Sequence, residues 1–184
     1  MDFVDIPLNK ATRLLNHGPL VLVSTTDGQT ANACAVAWCA PAGRDPARFV
    51  MILGQGHKTY QDLKATGDCV LNLPTADALE QVMVCGKKSG HDGDKLGPAG
   101  IELLPSQKVQ SPRLACCSAW IETRLWAEPK WDEAGPSLLV VEAVAASCRP
   151  GLMSEEHFVD LARFPTLHHL GSNRFVLPGE EIQA

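Results

Sequence analysis

The run Pro19-Leu20-Val21-Leu22-Val23-Ser24-Thr25, the turn pair Asp27-Gly28, and the returning run Thr30-Ala31-Asn32-Ala33-Cys34-Ala35-Val36-Ala37-Trp38-Cys39 decide the fold class. The first run is mostly apolar and branched, which predicts a strand. An Asp-Gly pair closes it, because glycine takes the positive φ that tight hairpin turns require. The returning run predicts the second strand, over 30–39. Working outward, residues 41–46 hold Gly43 and two prolines and predict a loop, and 48–53 predict a third strand. Further strands are predicted over 68–73, 101–104, 115–126 and 138–147. Helices are predicted over 9–17 (capped by Asn9, stopped by Gly18), 57–65 (stopped by Gly67), about 75–85 (Leu79, Val82 and Met83 on one face) and about 154–162 (capped by Ser154). The glycine-rich segment 86–100 predicts a functional loop, and 164–184 an irregular C-terminal arm. Short strands joined by turns, with few helices between them, favour a barrel over a doubly wound sheet. One domain over 1–184 is expected.

Composition narrows the partners. Hydrophobic residues are 45% and charged residues 20% of the chain, ordinary globular usage. The 16 Lys and Arg against 21 Asp and Glu give a net charge of −5 with no basic run, which argues against nucleic acid. One small anionic cofactor stays compatible, since a phosphate needs only a few backbone N–H groups and one or two cations. The longest apolar stretch, 138–148, already contains Glu142, so no membrane span is expected. With the acids Asp2 and Asp5 and no apolar core near the N-terminus, no secretory signal is expected. A soluble, cytoplasmic protein is expected. The seven cysteines have no CxxC pair, which predicts small buried hydrophobes rather than a disulfide framework. No metal is expected, because Cys85 and His91 lack further ligands at short spacing.

Four segments can carry chemistry. Ala31, Ala33, Ala35 and Ala37 share one face of a strand, which either lets a helix pack closely or leaves shallow space for a flat ring system. Gly54-Gln55-Gly56-His57-Lys58-Thr59-Tyr60 places glycines, a cation and a hydroxyl at a helix start. This is either a phosphate seat or a solvated helix end. In Gly86-Lys87-Lys88-Ser89-Gly90-His91-Asp92-Gly93-Asp94-Lys95, three lysines and Ser89 either close over a phosphate or form a solvated loop. His168 and His169 are neighbours and in a helix or strand do not face one ligand together, so no two-histidine metal or haem site is expected while one of them can point into a pocket mouth.

Taken in order along nearly the whole chain, these segments resemble the flavin reductase-like family, in particular its flavoredoxin branch. The resemblance rests on the opening strand 14–25, on Ala31-Asn32-Ala33 with Ala35 and Ala37-Trp38, on Lys58-Thr59-Tyr60, on Val70-Leu71-Asn72-Leu73-Pro74, on Ser89-Gly90 with Asp94-Lys95, and on 167–175. It implies a mainly β fold, a Greek-key split β-barrel with a few peripheral helices. It further implies a homodimer binding one flavin mononucleotide (FMN) per subunit at the dimer interface. By position, the flavin ring is expected along Asn32, Ala33, Cys34, Ala35, Val36, Ala37 and Trp38, largely through backbone contacts. The phosphate is expected at Lys58 and Thr59 with Ser89, Gly90 and Lys95, and Asn72 behind the phosphate or ribityl chain. Family members take hydride from NADH or NADPH, or pass electrons between protein partners. The expected activity is therefore an FMN-dependent oxidoreductase serving a small-molecule or protein electron acceptor. The alternatives are a flavoredoxin-like electron carrier without a small substrate, and a non-catalytic flavin or haem binder. Many relatives carry a histidine where this chain has Pro136, in Ala134-Gly135-Pro136-Ser137, while Glu142 is kept. His168 and His169 are the candidates to serve nicotinamide in its place.

Overall fold

The computed structural model describes residues 2–11, 18–130 and 135–182. Its strands are β1 (Val4–Asp5), β2 (Val21–Thr26), β3 (Ala31–Val36), β4 (Cys39–Arg44), β5 (Ala47–Leu53), β6 (Asp68–Pro74), β7 (Leu103–Leu104), β8 (Arg113–Leu114), β9 (Cys117–Ala127), β10 (Ser137–Cys148), β11 (His168–Gly171) and β12 (Arg174–Val176). The helices are α1 (Leu8–Ala11), α2 (Lys58–Thr66) and α3 (Leu79–Lys87). The main sheet runs β3-β2-β6-β9-β10-β5-β4 with antiparallel pairing throughout, and β1 pairs with β10. Strands distant in sequence lie side by side, β2 beside β6 and β5 beside β10, which makes the topology a Greek key.

Two residues force this sheet to close. β3 and β4 stand at opposite ends of the strand order, yet only Ala37 and Trp38 join them. In a flat sheet, six spacings of about 4.8 Å would put the end strands roughly 29 Å apart. The chain from Val36 to Cys39 reaches at most about 11 Å. The sheet therefore curls until its ends meet, and the Ile52 N–H donates to the Trp38 carbonyl at 3.0 Å. The result is a split barrel, as the sequence leads one to expect.

The alternation of side chains along each strand sorts the core. Val21 and Val23 of β2 point into the barrel with Phe49, Met51, Leu71, Ile121 and Leu139, whereas Leu22 points outward to a second cluster with Val70, Val82, Leu114 and Trp120. Phe49 and Met51 are fully buried, each contributing about 1.5–3 kcal/mol by leaving water. α3 covers the outer cluster through Val82 and Cys85. α2 ends as its sequence predicts: Gly67 adopts φ 76° and its N–H donates to the Leu63 carbonyl at 2.8 Å.

Several elements differ from their sequence-based expectation. The strand predicted over 30–39 is interrupted at the Ala37-Trp38 corner. The loop predicted over 41–46 is mostly β4, which hairpins with β5; Pro41 is tolerated because β4 is an edge strand with no ladder to feed on one side. No helix forms over 154–162. The Ser154 hydroxyl accepts from the Phe158 N–H at 3.1 Å, and Met153 bridges Val159, so the segment folds on itself as turns. The C-terminal arm is ordered by the β11–β12 hairpin. The first helix covers only Leu8–Ala11, and positions 12–17 of its expected span lie outside the described residues. Among the described residues no helix is long and apolar enough to cross a membrane, and no group of three His, Cys, Asp or Glu side chains could hold a metal ion.

Candidate functional site

Because β3 ends the sheet, its outer edge has no strand partner among the described residues, and α2 and α3 flank it. A cleft of about 1020 Å³ opens along this edge, at the upper end of the range for small-molecule sites. β3 and the corner after it contribute Asn32, Cys34, Ala35, Val36, Ala37 and Trp38. The start of α2 contributes Gly56, His57, Lys58 and Thr59. α3 and the loop behind it contribute Val82, Met83, Gly86, Lys87, Lys88, Ser89, Gly90 and Lys95. The C-terminal hairpin adds His169, Leu170 and Phe175, and Pro136 lies at the rim.

The alanine face of β3 resolves in favour of helix packing. Ala31, Ala33 and Ala35 pack against the cluster that holds Val82 and Cys85 of α3, and Ala33 is fully buried rather than lining the cleft. A β-carbon on Gly86 would meet Ala35 Cβ at 3.4 Å, so small residues on both sides let α3 approach the sheet. Ala35 and Ala37 still line the cleft, so the space for a flat ring runs along the strand's edge and the end of its alanine face. Cys34 faces this space, with burial pushing its thiol up in pKa.

The polar end of the cleft gathers residues from three segments. Thr59 Oγ1 accepts from Asn32 Nδ2 at 2.9 Å, and the buried Asn32 Oδ1 has no hydrogen-bond partner among the described residues. A β-carbon on Gly90 would collide with that amide, so the glycine permits the close approach of loop and strand. Lys58 Nζ is clamped between Asp62 at 2.8 Å and Asp27 at 3.0 Å. Burial works against its charge, but hydrogen bonds to the two carboxylates outweigh it and raise its pKa. The carboxyl of Asp27 is held well below the usual range by the Thr30 and Gln29 backbone N–H groups and by Lys58. Lys95 differs from Lys58: its ammonium is buried and, among the described residues, donates only to the carbonyls of Lys88 at 2.8 Å and Cys85 at 3.3 Å, and burial lowers its pKa. Ser89 Oγ accepts from the His91 N–H at 3.2 Å, and His91 Nε2 lies 3.1 Å from the Gly56 carbonyl, which ties the loop to the start of α2.

Of the residues expected from the sequence, the cleft brings together Asn32, Cys34, Ala35, Val36, Ala37, Trp38, Lys58, Thr59, Ser89, Gly90, Lys95 and His169. Three stand elsewhere. Ala33 is under α3. Asn72 is wholly buried behind β2, where Nδ2 donates to the Leu22 carbonyl at 2.8 Å and Ser24 Oγ at 2.9 Å, while Oδ1 accepts from the Leu114 N–H at 2.8 Å. With its amide committed to tying β2, β6 and β8 together, Asn72 has nothing left for a ligand. His168 does not line the cleft; its Nε2 lies 3.4 Å from Thr166 Oγ1, and burial lowers its pKa. The sequence reading overlooked Asp62. Its spacing of four residues from Lys58 on a helix was the available signal.

Residues 14–171 match the family model described as the flavin reductase like domain. Across 99% of this chain and 98% of the relative, the sequence is 32% identical to the uncharacterized protein YddH of Escherichia coli. Among solved structures, an FMN-binding domain of a flavin reductases-like enzyme from Shewanella baltica superposes with a TM-score of 0.91 at 30% identity, covering 100% of this chain and 97% of that one. Flavoredoxin of Desulfovibrio vulgaris shares the fold, with a TM-score of 0.81 at 20% identity over 91% of this chain and 90% of its own.

Proposed function

The chain belongs to the flavin reductase like domain family, and from that premise we propose that its cleft binds FMN and that the protein is a cytoplasmic FMN-dependent oxidoreductase, reduced by NADH or NADPH and reoxidised by a small-molecule or protein acceptor. When bound, the flavin supplies the redox chemistry, taking hydride from the nicotinamide and passing electrons on. The observation that carries this reading is the charge pattern of the cleft. Among the described residues four lysines and no carboxylate line it, although the whole chain has a net charge of −5.

The residues fit the group. A phosphate dianion would answer the buried ammonium of Lys95, which has only carbonyl partners, and would accept from Thr59 and from the backbone N–H groups that start α2. Lys58 would add less than its position implies, because Asp27 and Asp62 already hold its charge. Asn32 Oδ1, buried without a donor, would accept from a ribityl hydroxyl. The unpaired edge of β3 offers backbone donors and acceptors to the polar rim of the ring, and Leu20, Val36, Val82 and Phe175 offer apolar contact to its faces.

Anaerobic titration of the purified protein with FMN, then with each nicotinamide, tests this reading. Tight FMN binding and bleaching within seconds, with no second protein present, are expected. A protein that refuses FMN ends the proposal. One observation favours the electron-carrier alternative: Trp38, 70% exposed, stands at the mouth of the cleft where a protein partner would meet it. Bound flavin that neither nicotinamide reduces would favour the carrier. The exposed Trp38 and Leu170 also support a homodimer in which a second copy covers this rim, a state that light scattering in solution measures.

A further inference from the structure

All seven cysteines are free thiols. Cys116 and Cys117 stand apart from the rest in geometry. Neighbouring residues of a strand point to opposite faces, yet these two Sγ atoms lie 4.0 Å apart. Cys116 sits in the turn between β8 and β9, and Cys117 opens β9. The turn is fixed on every side. The Leu114 N–H donates to Asn72 Oδ1 at 2.8 Å, and the Leu114 carbonyl accepts from Trp120 Nε1 at 2.9 Å. The Ala115 N–H donates to the Glu102 carbonyl at 3.0 Å, and the Ala115 carbonyl accepts from Arg149 Nη2 at 2.8 Å. These hydrogen bonds fix the backbone that leads into the pair, and the two side chains bring their sulfurs together beside it.

The surroundings make the two thiols unequal. A hydrogen bond with Cys117 and the charge of Arg149 hold Cys116 below the ordinary thiol pKa although burial opposes this, while burial pushes Cys117 well up. Cys116 is partly exposed and Cys117 is buried. Arg149 also keeps its Nε buried without a hydrogen-bond partner among the described residues, a donor left over beside the turn. One sulfur is suited to attack, and its neighbour stays protonated and at hand.

We propose that Cys116 and Cys117 form a peroxide-reactive site that closes reversibly to a disulfide between adjacent residues, independent of flavin binding. The Cys116 thiolate attacks one oxygen of hydrogen peroxide. An S–O bond forms, the O–O bond breaks, and the departing hydroxide takes up the thiol's proton as water. The Cys117 thiol then attacks the sulfenic sulfur. An S–S bond forms, the S–O bond breaks, and a second water carries away the Cys117 proton. Two thiols are oxidised by two electrons and one peroxide is reduced to two waters. Adjacent α-carbons lie about 3.8 Å apart, closer than the roughly 4.4 Å lower limit of ordinary disulfides. The closed form is therefore readily reduced, as a reversible modification requires.

Trypsin isolates the pair, since residues 114–124 lie between Arg113 and Arg124 and contain no other cysteine. The full-length protein is treated with stoichiometric hydrogen peroxide, alkylated and digested. The 114–124 peptide is expected to lose two hydrogens in mass and to resist alkylation until a dithiol reductant is added. Cys117→Ser should stop at a dimedone-reactive sulfenic acid on Cys116. Arg149→Gln, which removes a positive charge that helps hold Cys116 below the ordinary thiol pKa, should slow the loss of free thiol from this peptide. A native peptide that stays fully alkylated, pairs with a third cysteine or passes directly to sulfonic acid overturns the proposal. The readout is a peptide mass, so it is separate from any failure of the protein to bind FMN.

Discussion

Gly90 stands so close to Asn32 that a β-carbon at the glycine would overlap the Asn32 carboxamide, whose Oδ1 is buried and without a donor. The contact joins the loop after α3 to the edge strand β3 at the polar end of the cleft. Gly90→Ala must push Asn32 off Thr59, at a cost of about 1–3 kcal/mol for overpacking. The expected outcome is an FMN dissociation constant raised about tenfold, with a melting temperature lowered by roughly 2–4 °C per kcal/mol lost. Gly56→Ala, also at the cleft, meets nothing within 4 Å and is the control. It should leave stability within about 0.5 kcal/mol. Calorimetry and fluorescence titration on the two variants decide the matter.

Lys95 predicts a pH dependence. Its folded-state pKa lies below the unfolded value because burial disfavours the ammonium. Without ligand, stability therefore rises with pH across the interval between those two values, as the unfolded chain holds the proton longer. Bound phosphate favours the ammonium, so FMN affinity should fall as pH rises through the depressed value, below the ordinary lysine range. Lys95→Met should weaken FMN binding at neutral pH by about tenfold or more, the loss of a charge-assisted hydrogen bond. It should also flatten the alkaline limb. An alkaline limb unchanged in the variant would assign the titration to another group.

Much of this was legible from the chain alone, for local reasons. Branched runs with an Asp-Gly turn specified β2 and β3, and Gly67 marked the end of α2. What stayed hidden depends on contacts distant in sequence. Asn72 sits in a stretch that suggests a ligand contact, but its amide is claimed by Leu114, 42 residues away. Ser154 has the form of a helix cap, yet its hydroxyl is taken by the Phe158 N–H in a turn. The alanines of β3 were open to two readings until α3 was placed over them. The site was legible as a set of segments. Its charge balance was not, because Asp27 meets Lys58 across 31 residues.

Lys58 shows the consequence. The sequence alone offers Lys58 as part of a phosphate seat or of a solvated helix end. In the structure its removal would leave Asp27 and the buried Asp62 facing the same space, with Asp62 keeping only its hydrogen bond from Thr25 Oγ1 at 3.0 Å among these partners. Lys58→Ala should cost about 2 kcal/mol, below the usual figure for a broken buried pair because the ammonium retains some solvent. The double variant Lys58→Ala with Asp62→Asn should recover part of that loss. Denaturant melts of the native protein and both variants measure the difference, and a single variant with the native midpoint would show that the clamp contributes nothing.

Glu128 anchors the other side of α2. Its carboxylate accepts from Lys64 Nζ at 2.7 Å, Ser137 Oγ at 2.6 Å and Tyr60 Oη at 2.8 Å, joining the helix to β10. The Lys64 and Ser137 hydrogen bonds lower its pKa to about 2. A carboxylate with a depressed folded-state value stabilises the fold above its unfolded pKa, and that contribution is lost as pH falls through the folded value. Acid should therefore weaken the protein between the ordinary glutamate range and about pH 2, and Glu128→Gln should lower stability at neutral pH while flattening the loss over that window. Melting temperatures from pH 7 to pH 2 for both proteins test this. Parallel curves, with the variant merely displaced, would mean that other carboxylates carry the acid transition.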